Sequence, residues 1–502
     1  MGRQKRGQIL FLEKLICPLF SANAVRSEKK NKSVPFFITA IFSMFLSIYL
    51  ILGATGRSFA KAGIITLNIG KATTAAITEN SPAKVPAAIT LKNALRLALK
   101  FYPGILTSKY SYISSIYTKN QTLSQYYPQI SGTAGFSRNS FMDVNNNGVI
   151  SGGQIYNQQG INYSINDYSA TLNATYMLYS FGSRYYNYLN AKYRMNGANA
   201  GYNYTVNGDL YSVILDFAQY FADKELMNTD KENLKNDEIQ YKAAEAFYKV
   251  GTGDLLDAET AKATMETARA AYINSEFNVK IARLALLNSI GLPPLKKYRF
   301  VNTLKFKPFK SKLQRLMKTA LKYNPQLKQA VYAVKASKAS VKKAASGYFP
   351  TFNADFSYTG QNSSFPLNRN YSAGLSVSIP IFNGFLTQNQ IDYSKAVLNS
   401  NVWNKKLTEN NLAYNISSDY YAINNQYLTV KALKSSEKAS KLAYTLALKS
   451  YEVGVGSMVQ LVTANAQYIS SVTSYINGEY TYFYLKAKLY SDLGLMVEHY
   501  IK

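Results

Sequence analysis

Three kinds of hydrophobic pattern follow one another along the 502-residue chain, and each predicts a different element. An uncharged apolar run at residues 35–53 follows Lys29, Lys30 and Lys32. Further on, short stretches alternate between apolar and polar positions, which is typical of strands with two unlike faces. Between these stretches, apolar residues recur every seven positions over long distances, which predicts helices that pack as coiled coils.

The apolar run has the features of an export signal. A basic region precedes it, and Ser58-Phe59-Ala60 behind it is a small-x-small cleavage site. We expect residues 1–60 to be a signal peptide with a long basic n-region, followed by a linker at 61–88. The alternative is an uncleaved anchor, because the run is close to the minimum length of a spanning helix. No other run of this length exists, so the mature chain is expected to cross a bilayer only as strands.

The alternating stretches predict four strands. Ile130, Gly132, Ala134 and Phe136 alternate with polar or small residues, and a similar pattern begins at Phe352. The predicted strands are 130–138, 168–179, 352–360 and 371–382. A strand with one apolar and one polar face suits a wall between lipid and water.

The chain contains an internal duplication. The segment Leu91–Pro103 matches Leu313–Pro325 at an offset of 222, and later motifs match at an offset of 203. We therefore predict two structural repeats, 89–292 and 312–497, joined by a linker at 293–311. The change of offset falls between 137 and 167, which predicts a longer loop in the first repeat.

The longest predicted elements are helices of about 65 residues, each followed by an antiparallel partner. No proline occurs between Ser183 and Val250, and the seven-residue spacing is kept in both repeats with one break at Glu437. Glycines that adopt left-handed backbone are expected to end these helices. They are Gly251, Gly253, Gly454 and Gly456. The heptad positions are Val213, Tyr220, Met227, Leu234, Tyr241 and Tyr248, and in the second repeat Ile416, Ile423, Val430, Glu437, Tyr444 and Tyr451.

The composition argues against catalysis. The chain has one Cys, Cys17, and one His, His499, so the usual general base and the usual metal ligands are nearly absent. We expect no enzyme activity, no catalytic residues, no metal and no cofactor. The net charge of +29 is partly in the leader, and the rest is expected to be spread over helix faces. Nucleic-acid binding is accordingly the weakest alternative.

These motifs together resemble the TolC family of bacterial outer-membrane efflux channels over nearly all of residues 88–497. The resemblance rests on the opening Leu91-x-x-Ala94-Leu95 pattern, the aromatic-Pro pair before a strand, Ile379–Gly384, and the doubled Tyr-x-Val-Gly-x-Gly motif. It implies an all-α fold with transmembrane β-structure: an α-barrel of long antiparallel helices, and four strands per protomer in a trimeric 12-stranded β-barrel. The short helices at 90–127 and 312–349 would form a belt around the tunnel.

The resemblance also implies a function and partners. The chain would be a passive exit duct of a tripartite efflux or type I secretion system in the outer membrane of a Gram-negative bacterium, extending into the periplasm. Its partners would be two further copies, a periplasmic adaptor (membrane fusion) protein, an inner-membrane pump and outer-membrane lipid, with no nucleic acid. The alternative is a coiled-coil envelope scaffold, anchored in the inner membrane by residues 35–53, without transport activity.

By the same resemblance, the turns between long helices would form the periplasmic aperture. Asp257 falls on a constriction aspartate and Tyr451 on a tyrosine that holds the closed state, while Asp254 is an additional acid. Gln460 and Thr463 stand where relatives with an acidic ring have carboxylates, and Gly456 stands at an arginine position. The aperture is therefore expected to be less acidic than in those relatives.

Overall fold

The computed structural model describes residues 86, 88–142, 149–151, 154–156 and 162–501. They belong to one unit, Val85–Lys502. The predicted signal peptide, Cys17 and nearly all of the predicted linker 61–88 lie outside the described residues.

The two repeats contain the same principal elements in the same order. The first comprises β1 (Ala88–Ile89), α1 (Leu91–Phe101), α2 (Pro103–Gln121), β2 (Gln129–Met142), β3 (Val149–Ser151), β4 (Gln154–Tyr156), β5 (Asn162–Tyr179), α3 (Ser183–Lys249) and α4 (Leu255–Ile290). The second comprises β6 (Arg299–Phe300), α5 (Leu313–Tyr323), α6 (Pro325–Ala345), β7 (Thr351–Asn362), β8 (Asn368–Ser378), α7 (Leu386–Glu452), α8 (Met458–Leu493) and α9 (Met496–Tyr500).

The seven-residue spacing places apolar side chains inside the helical layer. Val213 on α3 and Ile416, Ile423 and Val430 on α7 are buried. Each of these two helices has 67 residues, which at 1.5 Å per residue is a length of about 100 Å. Within the described ranges, no helix combines the length and apolarity that crossing a membrane requires.

The long helices pack in a fixed lateral order. Helix α4 packs on α3, α3 on α8, and α8 on α7. Nearer the sheet, α2 packs on α3, and α6 packs on both α3 and α7. The end of α4 meets the corner between α1 and α2, so α2 takes the place beside α3 where α4 stops. The end of α8 meets the corner between α5 and α6 in the same way.

The four long strands form one antiparallel sheet in the order β2-β5-β7-β8. Helices α2 and α6 lead into β2 and β7, while β5 and β8 lead into α3 and α7. All four connections to the helices therefore lie at one end of the sheet. Strands β2 and β8 are its two edges, and neither has an outer neighbour among the described residues.

The sheet has one apolar and one polar face. Paired residues of neighbouring strands share a face, and the register aligns Leu172 with Gly132 and Tyr358 on one of them. The exposed apolar side chains of this face include Ile130, Phe136, Leu172, Phe356, Tyr358, Tyr371, Leu375 and Val377. On the opposite face the register aligns Ser131, Asn173, Ser357 and Ser372, and next to them Thr133, Thr171, Thr359 and Asn370.

Several predicted boundaries differ from the structure. Strand β8 ends at Ser378 rather than at 382, because Pro380 has no N–H to continue the ladder. The predicted long loop of the first repeat is partly strand, since β2 and β5 stay paired as far as Met142 and Asn162. Helix α2 ends at Gln121, before the predicted aromatic-Pro pair, and a short 3-10 turn follows.

The predicted linkers are also tied to the fold. Strand β1, at the end of the predicted linker 61–88, pairs in parallel with β6, which lies in the predicted linker 293–311. Phe300 of β6 is buried in the main core. This pairing joins the starts of the two repeats, and the sequence pattern did not predict it.

Candidate functional site

The predicted aperture residues lie at two turns of the same construction, at the helix ends farthest from the sheet. Helix α3 turns into α4 at Gly251, and α7 turns into α8 at Gly454. Both glycines have left-handed backbone, with φ of 77° and 79°. The N–H of Gly251 donates to the carbonyl of Tyr248, and that of Gly454 donates to the carbonyl of Tyr451, each at 3.0 Å.

The second glycine of each turn is required by close packing. A Cβ on Gly253 would lie 2.9 Å from the Cβ of Phe247, and a Cβ on Gly456 would lie 3.0 Å from that of Ser450. At Gly251 and Gly454 a Cβ would meet nothing within 4 Å. The first glycine is therefore selected by backbone conformation and the second by space.

Two of the aperture candidates are used as helix caps. Asp254 is the N-cap of α4, where its carboxylate accepts a hydrogen bond from the Leu256 N–H at 3.3 Å. Gln460 belongs to a capping box at the start of α8: Ser457 Oγ accepts from the Gln460 N–H, and the Gln460 side chain accepts from the Ser457 N–H. Asp254 therefore precedes the first helical turn of α4, and Asp257 lies within that turn.

The other two candidates lie close to each other. Tyr451 is at the end of α7 and Asp257 is in the first turn of α4, so they come from different repeats. Burial, and next to it the negative charge of Asp257, raise the pKa of the Tyr451 phenol. The structure thus brings these two residues together.

A buried polar network next to the turns was not predicted from the sequence. Asp237 of α3 is 1% exposed, and its two carboxylate oxygens accept from Asn465 Nδ2 and Asn233 Nδ2, both at 3.1 Å. About one helical turn further along α3, Gln240 Nε2 donates to the Tyr444 hydroxyl at 3.0 Å. The network therefore links α3 to both α8 and α7 close to the two turns.

We expect Asp237→Asn to flatten the pH dependence of unfolding between about pH 4 and pH 6. Burial raises the pKa of Asp237 from 3.8 to about 6, so in this window the folded chain keeps a proton that the unfolded chain has released. The contribution of Asp237 to wild-type stability is therefore largest below about pH 4 and is lost as the pH rises to about 6. Thermal unfolding in detergent at several pH values measures this. The exposed cap variant Asp254→Asn should keep the wild-type slope, and parallel curves for wild type and Asp237→Asn would contradict the assignment.

The turns also expose apolar side chains at the far end of the molecule. Val455 is 81% exposed, and Val453 and Val250 are each more than two-thirds exposed. Leu256 and Val459 are exposed beside them. A group of exposed aliphatic residues at a tip is a surface suited to contact with another protein.

Two further findings bear on chemistry. Within the parts of the chain that the structure describes, no group of three or more His, Cys, Asp or Glu residues could hold a metal ion. The single His499 stacks on Tyr490 with ring centroids 3.6 Å apart. Burial, and next to it the charge of Lys486, lower the pKa of His499 to about 4, so it is a neutral packing residue at neutral pH.

Comparison with models of protein families shows to which family the chain belongs. The model of the family "Outer membrane efflux protein" matches residues 117–292 and 316–495, one match for each repeat. The chain belongs to this family. The resemblance to the TolC family inferred from the sequence motifs is thereby confirmed.

Two curated relatives are distant. Outer membrane protein TolC of Escherichia coli is 21% identical over 268 residues, which is 50% of this chain and 54% of TolC. The probable efflux pump outer membrane protein TtgC of Pseudomonas putida is 23% identical over 291 residues, or 54% and 57% of the two chains. The matched part thus spans little more than half the length of either relative.

Solved structures share the fold over a larger part of the chain. The CmeC outer membrane channel of Campylobacter jejuni has a TM-score of 0.71 at 17% identity, covering 80% of this chain and 85% of CmeC. The open state of the Neisseria gonorrhoeae MtrE outer membrane channel has a TM-score of 0.66 at 18% identity, covering 82% and 93%. The efflux-family fold of long helices and a small sheet is therefore shared with these channels.

Proposed function

We propose that this efflux-family chain forms a homotrimeric outer-membrane channel, a passive exit duct that extends into the periplasm of a Gram-negative bacterium. The observation that carries the proposal is that, among the described residues, two edges of the sheet and two edges of the helical layer have no neighbouring element. Both layers become complete only when copies join in a ring.

The sheet supports closure into a barrel. Strands β2 and β8 run in opposite directions, so β8 of one copy can pair antiparallel with β2 of the next. Four strands cannot close a barrel, and unpaired strand edges are costly in lipid. Three copies would give the 12 strands of the family barrel, with the apolar face toward lipid and the polar face toward the lumen. On β5 the apolar alternation runs from Tyr168 to Leu178, about the number of residues a tilted strand needs to cross.

The helical layer supports the same ring. Helix α7, at one edge, has exposed apolar side chains spaced by seven residues or by multiples of seven, the spacing of a coiled-coil seam. At the other edge, α4 and α2 have fewer exposed apolar side chains, also spaced by multiples of seven. On α7 the row consists of Leu386, Tyr393, Leu407, Tyr414, Tyr421, Leu428 and Leu442, and at the opposite edge of Tyr110 and Tyr117 on α2 and Leu256, Phe277 and Leu284 on α4.

The tip supports the role of an aperture that meets a partner. In a threefold ring the six turns would come together, with Asp257 and Tyr451 beside each other in each copy. The exposed Val250, Val453 and Val455 would face a periplasmic adaptor protein, through which an inner-membrane pump drives the substrate. No step of this function is chemical, and the proposal includes no enzyme activity and no cofactor.

The test is conductance of the purified protein. The full chain, extracted from membranes in detergent, should be a trimer and should open pores in planar lipid bilayers. Native mass measurement gives the copy number on the same sample. A water-soluble species without conductance would contradict the channel, whereas a membrane-bound species that opens no pores would favour the envelope scaffold anchored by residues 35–53.

We expect Asp257→Ala to change the single-channel conductance or the cation preference of the pore while the trimer persists. The reason is that a ring of three carboxylates at the narrowest point attracts cations and repels anions. Asp254→Ala is the matched control, because it removes an acid from the same turn and affects chiefly the helix cap. If Asp257→Ala conducts with wild-type conductance and selectivity, Asp257 is only a helix-start acid.

A further inference from the structure

The positive charge is concentrated in one part of the molecule. Residues 277–354 contain seventeen Lys and Arg and no Asp or Glu, within a chain of net charge +29. The even spread of charge expected from the sequence is therefore wrong. The structure exposes all of these cations except Arg283, which is half-buried, and within the described residues only Lys280 forms an ion pair. They are Lys280, Arg283, Lys296, Lys297, Arg299, Lys305, Lys307, Lys310, Lys312, Arg315, Lys318, Lys322, Lys328, Lys335, Lys338, Lys342 and Lys343.

The first part of this surface is an extended strap, residues 300–313, packed against the long helices α7 and α8. Its apolar side chains pack inward: the Phe306 ring lies 5.2 Å from Tyr427 and 4.9 Å from Tyr482, between ring centroids. The Tyr482 hydroxyl donates to the carbonyl of Lys307 at 2.6 Å. Between the inward residues, the strap exposes a cation at nearly every second position. They are Lys305, Lys307, Lys310 and Lys312.

Helices α5 and α6 continue this surface. On α5, Leu316 and Ala320 are buried, and four cations on the opposite side line an open groove of about 510 Å³. The equivalent helices of the first repeat, α1 and α2, also contain no acid but have only five cations. The four groove cations are Lys312, Arg315, Lys318 and Lys322. We call the exposed cations of residues 296–343 the basic band.

The composition of the basic band favours a flexible polyanion over a folded protein. Thirteen of its fifteen cations are Lys and only Arg299 and Arg315 are Arg. Protein interfaces are depleted in Lys and enriched in Arg and in aromatic anchors. Lys side chains instead present mobile point charges that can follow an irregular anionic chain.

The position of the strap and α5 argues against lipid headgroups as the ligand of their cations. Helix α6 has 21 residues and separates α5 from the sheet, a distance of about 31 Å along the helix axis. The groove cations on α5 are thus several Debye lengths from the bilayer, since that length is about 8 Å at physiological ionic strength. An anionic polymer that lies beneath the membrane is long enough to contact both the strap and α5.

We propose that the basic band binds the carboxylate-bearing peptidoglycan of the cell wall where the tunnel passes through it. The proposal rests on the proposed function, because it requires the long helices to stand in the periplasm. The peptidoglycan surrounds the tunnel, and the ordered strap presents ammonium groups to it from a fixed frame.

The test is cosedimentation of the full chain in detergent with peptidoglycan sacculi stripped of attached protein. The test variant changes Lys312, Arg315, Lys318 and Lys322 to Gln. The control variant changes Lys231, Lys235, Lys438 and Lys441 to Gln, four exposed residues on α3 and α7 with the same total charge. We expect the test variant to lose at least about tenfold in affinity and the control to keep wild-type affinity, because one such contact is worth roughly a factor of five.

Two further binding experiments identify the ligand. Sacculi with amidated carboxylates should bind no variant, and vesicles of phosphatidylglycerol should not distinguish the test variant from the control. Equal affinity of the two variants for sacculi overturns the proposal, as does binding only to sacculi that keep their attached proteins. Conductance of the same samples is independent of this result: pores without sacculus binding refute the basic band alone, and sacculus binding without pores refutes the channel alone.

Discussion

Gly291→Ala is expected to lower the free energy of unfolding by about 3 kcal/mol or more. Gly291 ends α4 with φ of 79°, and a Cβ there would lie 2.7 Å from the carbonyl oxygen of Phe101 and 2.9 Å from the Cα of Tyr102. Left-handed backbone and overpacking both oppose the substitution, and backbone atoms cannot turn aside as a flexible side chain can. Denaturant or thermal unfolding in detergent measures the loss.

Three other glycines provide the controls for this effect. Gly494 ends α8 in the same way, with φ of 74° and a would-be Cβ 2.7 Å from Pro325 Cδ, so Gly494→Ala should cost about as much. Gly251→Ala keeps the backbone strain without the clash and should cost only about 1 kcal/mol. Gly208→Ala, inside α3 with open space around it, should stabilise by about 0.5–1 kcal/mol. An equal cost at Gly291 and Gly251 would show that the end-on contact contributes nothing.

The double variant Tyr414→Glu, Tyr421→Glu is expected to abolish the trimer and with it all conductance. Both tyrosines belong to the exposed heptad row of α7, and they are 72% and 63% exposed in one copy. In the ring, each substitution would bury an unpaired carboxylate against the next copy, which is strongly unfavourable. Native mass measurement in detergent, together with planar-bilayer recording, follows both effects.

The matched control for this variant is Tyr204→Glu with Leu215→Glu. These residues are exposed on α3, which already has neighbours on both sides within one copy. The control adds the same charge and should remain trimeric and conducting. Wild-type copy number in the α7 variant, with far-ultraviolet circular dichroism unchanged, would show that α7 is not an interface.

The long helices and their turns could be predicted from the sequence because their determinants are local. Seven-residue spacing fixes the buried face of α3 and α7, and a Gly-x-Gly pair marks each turn. The polar network could not be predicted in this way, because Asp237 and its partner Asn465 are 228 residues apart and meet only after the two repeats pack. The same applies to the pairing of β1 with β6.

The charged surface shows a different limit. A run of Lys residues is visible in the sequence, but their common orientation depends on the strap. The contact between Phe306 and Tyr482 holds the extended strap against the helices. Without this contact, nothing in the sequence determines that the Lys residues between the Phe residues all face away from the helices. Among the aperture candidates, the caps at Asp254 and Gln460 follow local rules, whereas the proximity of Asp257 to Tyr451 requires both repeats.

The end-on contacts at Gly291 and Gly494 lie where the ends of α4 and α8 meet the short helices. At this level the helical layer is held together partly by contacts between helix ends instead of by continuous helices. Among the described helices of each copy, only α3 and α7 cross this level without a break, while α4 is followed along the layer by α2 and α8 by α6, each across an end-on contact. Bending stiffness is therefore lowest at that level. In the proposed channel, a twist that widens the far end of the tunnel is expected to be absorbed there, leaving the sheet undisturbed.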